Sequence, residues 1–320
     1  MTRKKIFIDG SAGTTGLRIR ERLLEREDVE LITLSEALRK DTAARRDALN
    51  NAEVAFLCLP DAAAIEAVSL VENPQTVIID TSTAHRTNPA WTYGFPEIDG
   101  LKTRLPSAKR IANPGCHASG FIALVAPLIE AGLIKADQSL SAFSLTGYSG
   151  GGKKMIADYE VESAGGSEGG EKCALNLHSG GRQYALSQAH KHLPEMMKLC
   201  KLTRKPIFSP IVVPHYSGME VTVPLFLDKG NLEIVRDCYR KYYAGAKIVR
   251  FVEALDDAGF ISSAALSGRD DMLVGAYGDG DRVLLVALYD NLGKGASGAA
   301  IQNLNLVLGV EESSGLKIGV

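Results

Sequence analysis

The sequence predicts an α/β fold: a doubly wound parallel sheet, followed by an α+β domain whose sheet is mainly antiparallel. Three observations carry this expectation. Over the first third of the chain, short apolar runs alternate with helical patterns. The first of these runs ends directly in a glycine-spaced turn, "DGSAGTTG", that leads into a helix. From about residue 138 the strand-like segments lengthen and often take on the two-residue alternation of a half-solvated antiparallel sheet.

Taken in order, "KIFIDG" (5–10), "VELITLS" (29–35), "VAFLCLP" (54–60) and "TVIIDTS" (76–82) read as buried strands, because β-branched and apolar residues run almost continuously through them. Between them, "GLRIRERLLERED" (16–28) sets Leu17, Ile19, Leu23 and Leu24 on one side of a helix, and "DAAAIEAVSLVEN" (61–73) behaves alike. After Cys116, "HASGFIALVAPLIEAGLI" is an apolar helix long enough to be buried, stopped near Gly132. The later strands are "SLSAFSLTGYSG", "PIFSPIVVPHYSG", "MEVTVPLFL", "DMLVGAYG" and "RVLLVALYD", with the helix "NLEIVRDCYRKYYAG" (231–245) among them. Glycine-rich "YSGGGKK" and "SAGGSEGGEK" read as loops within this second domain. The closing segment "ASGAAIQNLNLVLG" (296–309) returns to helix, with small residues that allow close packing.

Composition narrows the class. At 320 residues the chain has room for two domains, and 45% apolar with 23% charged residues is ordinary for a globular protein. The balance of 36 Lys+Arg against 38 Asp+Glu, with no basic block, argues against nucleic acid as the main partner. No signal-peptide h-region opens the sequence and no apolar run reaches membrane-spanning length, so no membrane association is expected and the protein reads as cytoplasmic. The five cysteines (Cys58, Cys116, Cys173, Cys200, Cys238) form neither a C-x-x-C pair nor a zinc-type spacing.

The chemistry begins at the glycine turn. Gly10, Gly13 and Gly16 sit three apart between a strand and a helix, with Ser11, Thr14 and Thr15 among them. A dinucleotide phosphate needs bare backbone N–H groups and a helix N-terminus aimed at it, so this is a candidate cofactor loop of Rossmann type. Where an NAD-specific site places an acid after the second strand, this chain has Ser35, with Glu36, Arg39 and Lys40 following. Ser35 and Arg39 suit a 2′-phosphate, so NADP is the expected cofactor.

The second centre is "NPGCHASG" (113–120). Pro114-Gly115 makes a sharp turn that delivers Cys116 to the start of a helix, whose open N–H groups and positive dipole end favour a thiolate. A poised thiolate suits acyl transfer. Its proton shuttle is sought among six histidines, best concentrated in "HKHLPE" (190–195), where His190 and His192 point the same way if the stretch is extended and Pro194 ends the extension. Metal binding by H-x-H lacks a third ligand at any readable spacing. His117, adjacent to the thiol, is expected to face away from it on the helix.

Together these segments resemble the N-acetyl-γ-glutamyl-phosphate reductase family, of its shorter type, within the aspartate-semialdehyde-dehydrogenase-like superfamily. "GSAGTTG", "DTSTAHR" (80–86), "YGFPEI" (93–98), "NPGCHASG", "SGGGKK" (149–154), "HKHLPE" and "DNLGKGASGAAIQNLNLVLG" (290–309) occur in the family's order, spanning residues 4–309. The resemblance implies NADPH-dependent reduction of N-acetyl-γ-glutamyl phosphate to the semialdehyde, a step of arginine biosynthesis, through a Cys116 thioester. It implies His192, or else His190, as acid/base, with Tyr184 shaping the pocket. Arg86 and Lys153 would meet the anionic groups of this small acyl phosphate. Lys153 stands where the family more often has Arg, and His85 is a further departure from its commoner pattern. Asn291, Gly293, Gly295 and Ala296 match a segment that lies against the nicotinamide. The NADP-binding domain would then comprise residues 1–117 and 291–320, with 118–290 as the substrate and dimerisation domain of a homodimer or homotetramer. The rival activities are aspartate-semialdehyde dehydrogenase and a non-catalytic NADP(H)-sensing regulatory protein.

Overall fold

The computed structural model describes residues 3–98, 100–163, 178–228 and 230–319. Cys173 and most of the "SAGGSEGGEK" loop therefore lie outside the described residues. The chain divides into two compact units, Met1–Gly115 with Ala296–Lys317, and Cys116–Gly295 with Ile318–Val320. The first break falls two residues before the boundary expected from sequence and the second five residues after it. Asn291, Gly293 and Gly295 thus belong to the second unit.

The first unit opens with β1 (Lys4–Asp9), α1 (Thr14–Leu24), β2 (Val29–Ile32), α2 (Thr42–Asn51), β3 (Val54–Leu57), α3 (Asp61–Ser69), β4 (Val77–Asp80), β5 (Thr92–Tyr93), α4 (Leu101–Arg104) and β6 (Arg110–Ala112). Its six strands form one parallel sheet in the order β2-β1-β3-β4-β6-β5. Every residue of β3 and β4 is buried, as a strand covered on both faces requires. The chain runs outward to β2 on one side of β1 and to β3 on the other. That reversal opens a crevice at the carboxyl ends of β1 and β3, where such sheets bind ligands. Sequence reading passed over α2 because only Arg45, Ala48 and Leu49 are buried on it. Its start is nonetheless well signalled: the Asp41 side chain accepts the Ala44 N–H at 2.8 Å.

The second unit contains α5 (Cys116–Glu130), β7 (Ser141–Gly147), α6 (Gly152–Ser163), β8 (Arg182–Gln183), α7 (Leu193–Leu199), β9 (Ile207–Val213), β10 (Met219–Phe226), α8 (Leu232–Tyr242), β11 (Val249–Phe251), β12 (Met272–Asp279) and β13 (Arg282–Tyr289). Its sheet runs β11-β12-β13-β10-β7-β9-β8. The pairs β11–β12 and β7–β9 are parallel and the other neighbours antiparallel, so the sheet is mixed rather than uniform. Along β10, Met219, Val221, Val223 and Leu225 turn inward while Glu220, Thr222, Pro224 and Phe226 turn outward. The inner face packs against α5, which is buried along most of its length. Pro127 removes the N–H that would bond Ala123 within α5, and the Tyr243 hydroxyl donates to the Ala123 carbonyl instead, at 2.6 Å. The outward face keeps Phe143, Ile207, Phe226 and Leu284 exposed. After a π-helical turn at Gly293–Ser297, α9 (Gly298–Leu308) closes the first unit.

Candidate active site

In the first unit, β1 delivers the chain into a cavity of about 640 Å³ lined by Gly10, Ser11, Gly13, Leu31–Leu34, Arg39, Leu59 and Pro60, among others. Gly10 has φ +86°, and a Cβ there would meet the Cys58 carbonyl oxygen at 2.3 Å; a Cβ on Gly16 would meet the Gly10 carbonyl at 2.5 Å. Packing alone therefore demands these two glycines. It does not demand Gly13, where a Cβ would have ordinary room, its nearest neighbour at 3.5 Å. What Gly13 leaves open is the approach to α1, of which it is the N-cap. No side chain caps that helix and no acid occupies its first turn, so the N–H groups of Thr14 and Thr15 present a positive helix end to a phosphate. This cradle fits a dinucleotide. Ser35 is exposed and does not line the cavity as Arg39 and Lys40 do, and Arg20, which sequence reasoning missed, lines it too. Arg39 donates to Glu36 at 2.7 Å, an exposed pair of little energetic weight. Arg45 is committed to Asp9 at 3.0 Å in a buried pair on the cavity wall.

In the second unit, Cys116 is the first residue of α5 and is half-buried. Burial pushes the Cys58 thiol up to about 12 and raises Cys200 and Cys238, so those three stay protonated at neutral pH. The first turn of α5 is clamped from β13: the Tyr289 hydroxyl accepts the Gly120 N–H at 3.1 Å and donates to the Cys116 carbonyl at 2.6 Å. Gly120 makes the clamp possible, since a Cβ there would lie 2.7 Å from the Tyr289 hydroxyl. A Cβ on Gly295 would meet the Cys116 Cβ at 3.1 Å, while one on Gly293 would overlap the Arg269 carbonyl. Asn291 is structural as well: it accepts the Gly218 N–H at 3.0 Å and donates to Ser149 at 3.0 Å.

The histidines gather as expected, but by a different route. Residues 190–192 are not extended; they form the turn into α7, with His192 as its N-cap and Pro194 in its first turn rather than ending a strand. The two rings still meet, centroids 4.7 Å apart. His190 Nδ1 accepts the His192 N–H at 3.1 Å, so neutral His190 carries its proton on Nε2. His117 joins the same group. Its buried ring lies 5.3 Å from His190 and 5.6 Å from His192, with Tyr184 Oη 2.6 Å from Nε2 and Ser144 Oγ 2.6 Å from Nδ1. A helical i+1 side chain turns about 100° from its neighbour, and here that turn carries His117 in among the other two histidines, Tyr184 and Ser144. Burial, with the charges of His190 and Lys191, holds His117 well below the usual imidazole range. Sequence reasoning also missed Tyr289, Ser144 and the fully buried Lys294; only Lys294, set between glycines, left a signal.

Of the anion candidates, Arg86 is buried and donates to the Asn113 carbonyl at 2.9 Å and the Thr81 carbonyl at 3.0 Å, holding the turn before Pro114. Lys153 is exposed in the first turn of α6. Among the described residues no group of three or more His, Cys, Asp or Glu is placed to hold a metal ion, and no helix is long and apolar enough to cross a membrane.

Residues 5–104 match the family described as semialdehyde dehydrogenase, NAD binding domain, and residues 116–291 the semialdehyde dehydrogenase dimerisation domain. The chain is 48% identical over 316 residues to N-acetyl-gamma-glutamyl-phosphate reductase of Brucella anthropi, covering 95% of this chain and 98% of that one. It is 47% identical over 315 residues to the protein of the same name from Brucella ovis, covering 95% and 99%. Among solved structures, aspartate semialdehyde dehydrogenase II of Vibrio cholerae complexed with ASA superposes with a TM-score of 0.75 at 18% identity, covering 96% of this chain and 99% of that one. Aspartate semialdehyde dehydrogenase with NADP from Candida albicans does so with a TM-score of 0.66 at 16% identity, covering 96% and 99%. These distant structures share the fold; the sequence relatives decide the lineage. A chain with both semialdehyde dehydrogenase domains and this identity along its length belongs to the N-acetyl-gamma-glutamyl-phosphate reductase family.

Proposed function

We propose that this protein reduces N-acetyl-γ-glutamyl phosphate to N-acetylglutamate semialdehyde with release of phosphate, as a cytoplasmic enzyme of arginine biosynthesis. The observation that carries the reading is Cys116 in a clamped helical first turn, in a unit that also gathers His117, His190, His192 and Tyr184. The Cys116 thiolate attacks the acyl carbon; an S–C bond forms, the carbon–oxygen bond to phosphate breaks, and inorganic phosphate leaves a thioester. NADPH, when bound, would supply the hydride that reduces this thioester. The hemithioacetal then collapses: its S–C bond breaks, the aldehyde forms and Cys116 leaves as thiolate. His192, with His190 beside it, supplies and removes the protons of these steps. Lys153 and Arg86 are the cations assigned to the substrate's anionic groups. The loop Gly10–Gly16 and the first turn of α1 would hold the cofactor's pyrophosphate, and Arg39, with Arg20 and Lys40, its 2′-phosphate, which favours NADP over NAD. The exposed apolar face of the second unit's sheet is where a second copy would dock, giving a homo-oligomer.

The test runs the reaction backwards, in phosphate buffer with NADP and either N-acetylglutamate semialdehyde or aspartate semialdehyde. Phosphate-dependent NADPH formation is expected from the acetylated substrate. Turnover of aspartate semialdehyde alone would replace this reading with its rival, and cofactor binding without turnover of either would indicate a sensing protein.

A further inference from the structure

Ser144, on β7, is fully buried, and among the described residues the hydrogen-bond partner of its hydroxyl is His117 Nδ1, at 2.6 Å. A buried O–H with no acceptor is costly, so Ser144 donates to Nδ1. Nδ1 is then unprotonated. A neutral imidazole carries one proton, which must sit on Nε2, and Nε2–H donates to Tyr184 Oη, also at 2.6 Å. The imidazolium alternative is disfavoured, because burial and neighbouring positive charge keep His117 neutral. Tyr184 Oη is therefore an acceptor toward His117, and its own proton must point elsewhere. The phenol is held as O–H: burial, and then the charge of Cys116, raise its pKa well above the usual tyrosine value. His117 follows Cys116 directly in the first turn of α5, so the 2.6 Å contact between its Nε2 and Tyr184 Oη also sets that hydroxyl beside the turn that carries the thiol.

We propose that Ser144 and His117 fix the direction of the Tyr184 hydroxyl so that it donates a hydrogen bond to the oxyanion formed when an acyl group adds to Cys116. Tyr184 is then a catalytic residue and His117 a positioning residue. As the S–C bond forms, the carbonyl π pair moves onto oxygen and meets the Tyr184 O–H, which keeps its proton. When the bond to phosphate breaks, the carbonyl re-forms and the hydrogen bond weakens. This role rests on Cys116 being the nucleophile of the reductase reaction.

Two measurements test it. In protein labelled with ¹⁵N-histidine, His117, assigned by its absence in His117→Gln, should be the Nε2–H tautomer; Nδ1–H would overturn the proposal. In steady-state kinetics, Tyr184→Phe should lower kcat about 100-fold, the scale of losing an oxyanion donor, with KM within about twofold. Alkylation of its Cys116 by iodoacetamide should proceed at the wild-type rate. His117→Gln, which keeps an N–H toward Tyr184, should retain more activity than His117→Leu. A Tyr184→Phe variant with kcat within about threefold of wild type would overturn the role. Absence of turnover in the wild type would overturn the functional reading and this role with it, whatever the tautomer; turnover with the Nδ1–H tautomer would overturn this inference alone.

Discussion

Replacing Gly120 with alanine puts a methyl group into the clamp on the first turn of α5. In an ordinary helix the change stabilises by about 1 kcal/mol. Here the new Cβ would lie 2.7 Å from the Tyr289 hydroxyl, 2.7 Å from Val221 Cγ2 and 2.8 Å from Tyr289 Cε1, against an ordinary limit of 3.4 Å. Something must move by about 0.7 Å, and both neighbours are fully buried. Overpacking of this kind costs about 1–3 kcal/mol, and loosening the two hydrogen bonds of Tyr289 adds about 1–2 kcal/mol. Offset by the helix gain, the net loss is about 2 kcal/mol, or roughly 4–8 °C in the melting of a domain this size. Tyr289→Phe removes the hydroxyl without changing volume and should cost about 1–2 kcal/mol. In that background Gly120→Ala should cost less, because one of its three close contacts is gone. Melting curves of the two single variants and the double variant read this directly. An alanine variant that melts at or above wild type would refute the clamp.

Other consequences are equally direct. The folded-state pKa of His117 is depressed, so below about pH 6.5 the unfolded chain binds a proton that the folded chain does not. Stability is then lost as pH falls, by up to about 1.4 kcal/mol per unit; His117→Gln should flatten the acid side of a melting-temperature profile, and an unchanged slope contradicts this. Arg39→Ala should raise KM for NADPH about tenfold while leaving that for NADH within about twofold, and equal effects on both would remove Arg39 from 2′-phosphate recognition. Cys116→Ser should lower turnover by roughly 1000-fold or more while leaving NADPH affinity, read by fluorescence titration, near normal; a loss of cofactor binding instead would point to a structural thiol.

Much of this molecule is written in local pattern. Strands such as β3 and β4 declare themselves because burial on both faces admits few polar residues, and the turn at Gly10–Gly16 because backbone crowding forbids side chains at its ends. Asn113 to Cys116 is legible for a similar reason: a turn followed at once by a helix start places one thiol at a positive helix end. Legibility fails where partners are distant in sequence. Tyr289 reaches Cys116 across 173 positions, and nothing near residue 289 marks it. The partners of His117 are illegible for the same reason: helical geometry says which way a side chain turns but not what Tyr184 and Ser144 bring to meet it. Arg86 reads as a ligand for an anion, and sequence gives no sign that its guanidinium also serves two backbone carbonyls. His190 and His192 were paired for the wrong reason, since a turn into α7, not an extended strand, brings their rings together.

The central claim is that Cys116 holds the substrate covalently. Mixing the enzyme with N-acetyl-γ-glutamyl phosphate without NADPH and quenching in acid should release one equivalent of phosphate per chain. The intact protein should gain one acyl group, mapped by peptide mass to Cys116. Phosphate release that requires NADPH, with no acyl adduct at any time point, would contradict the account.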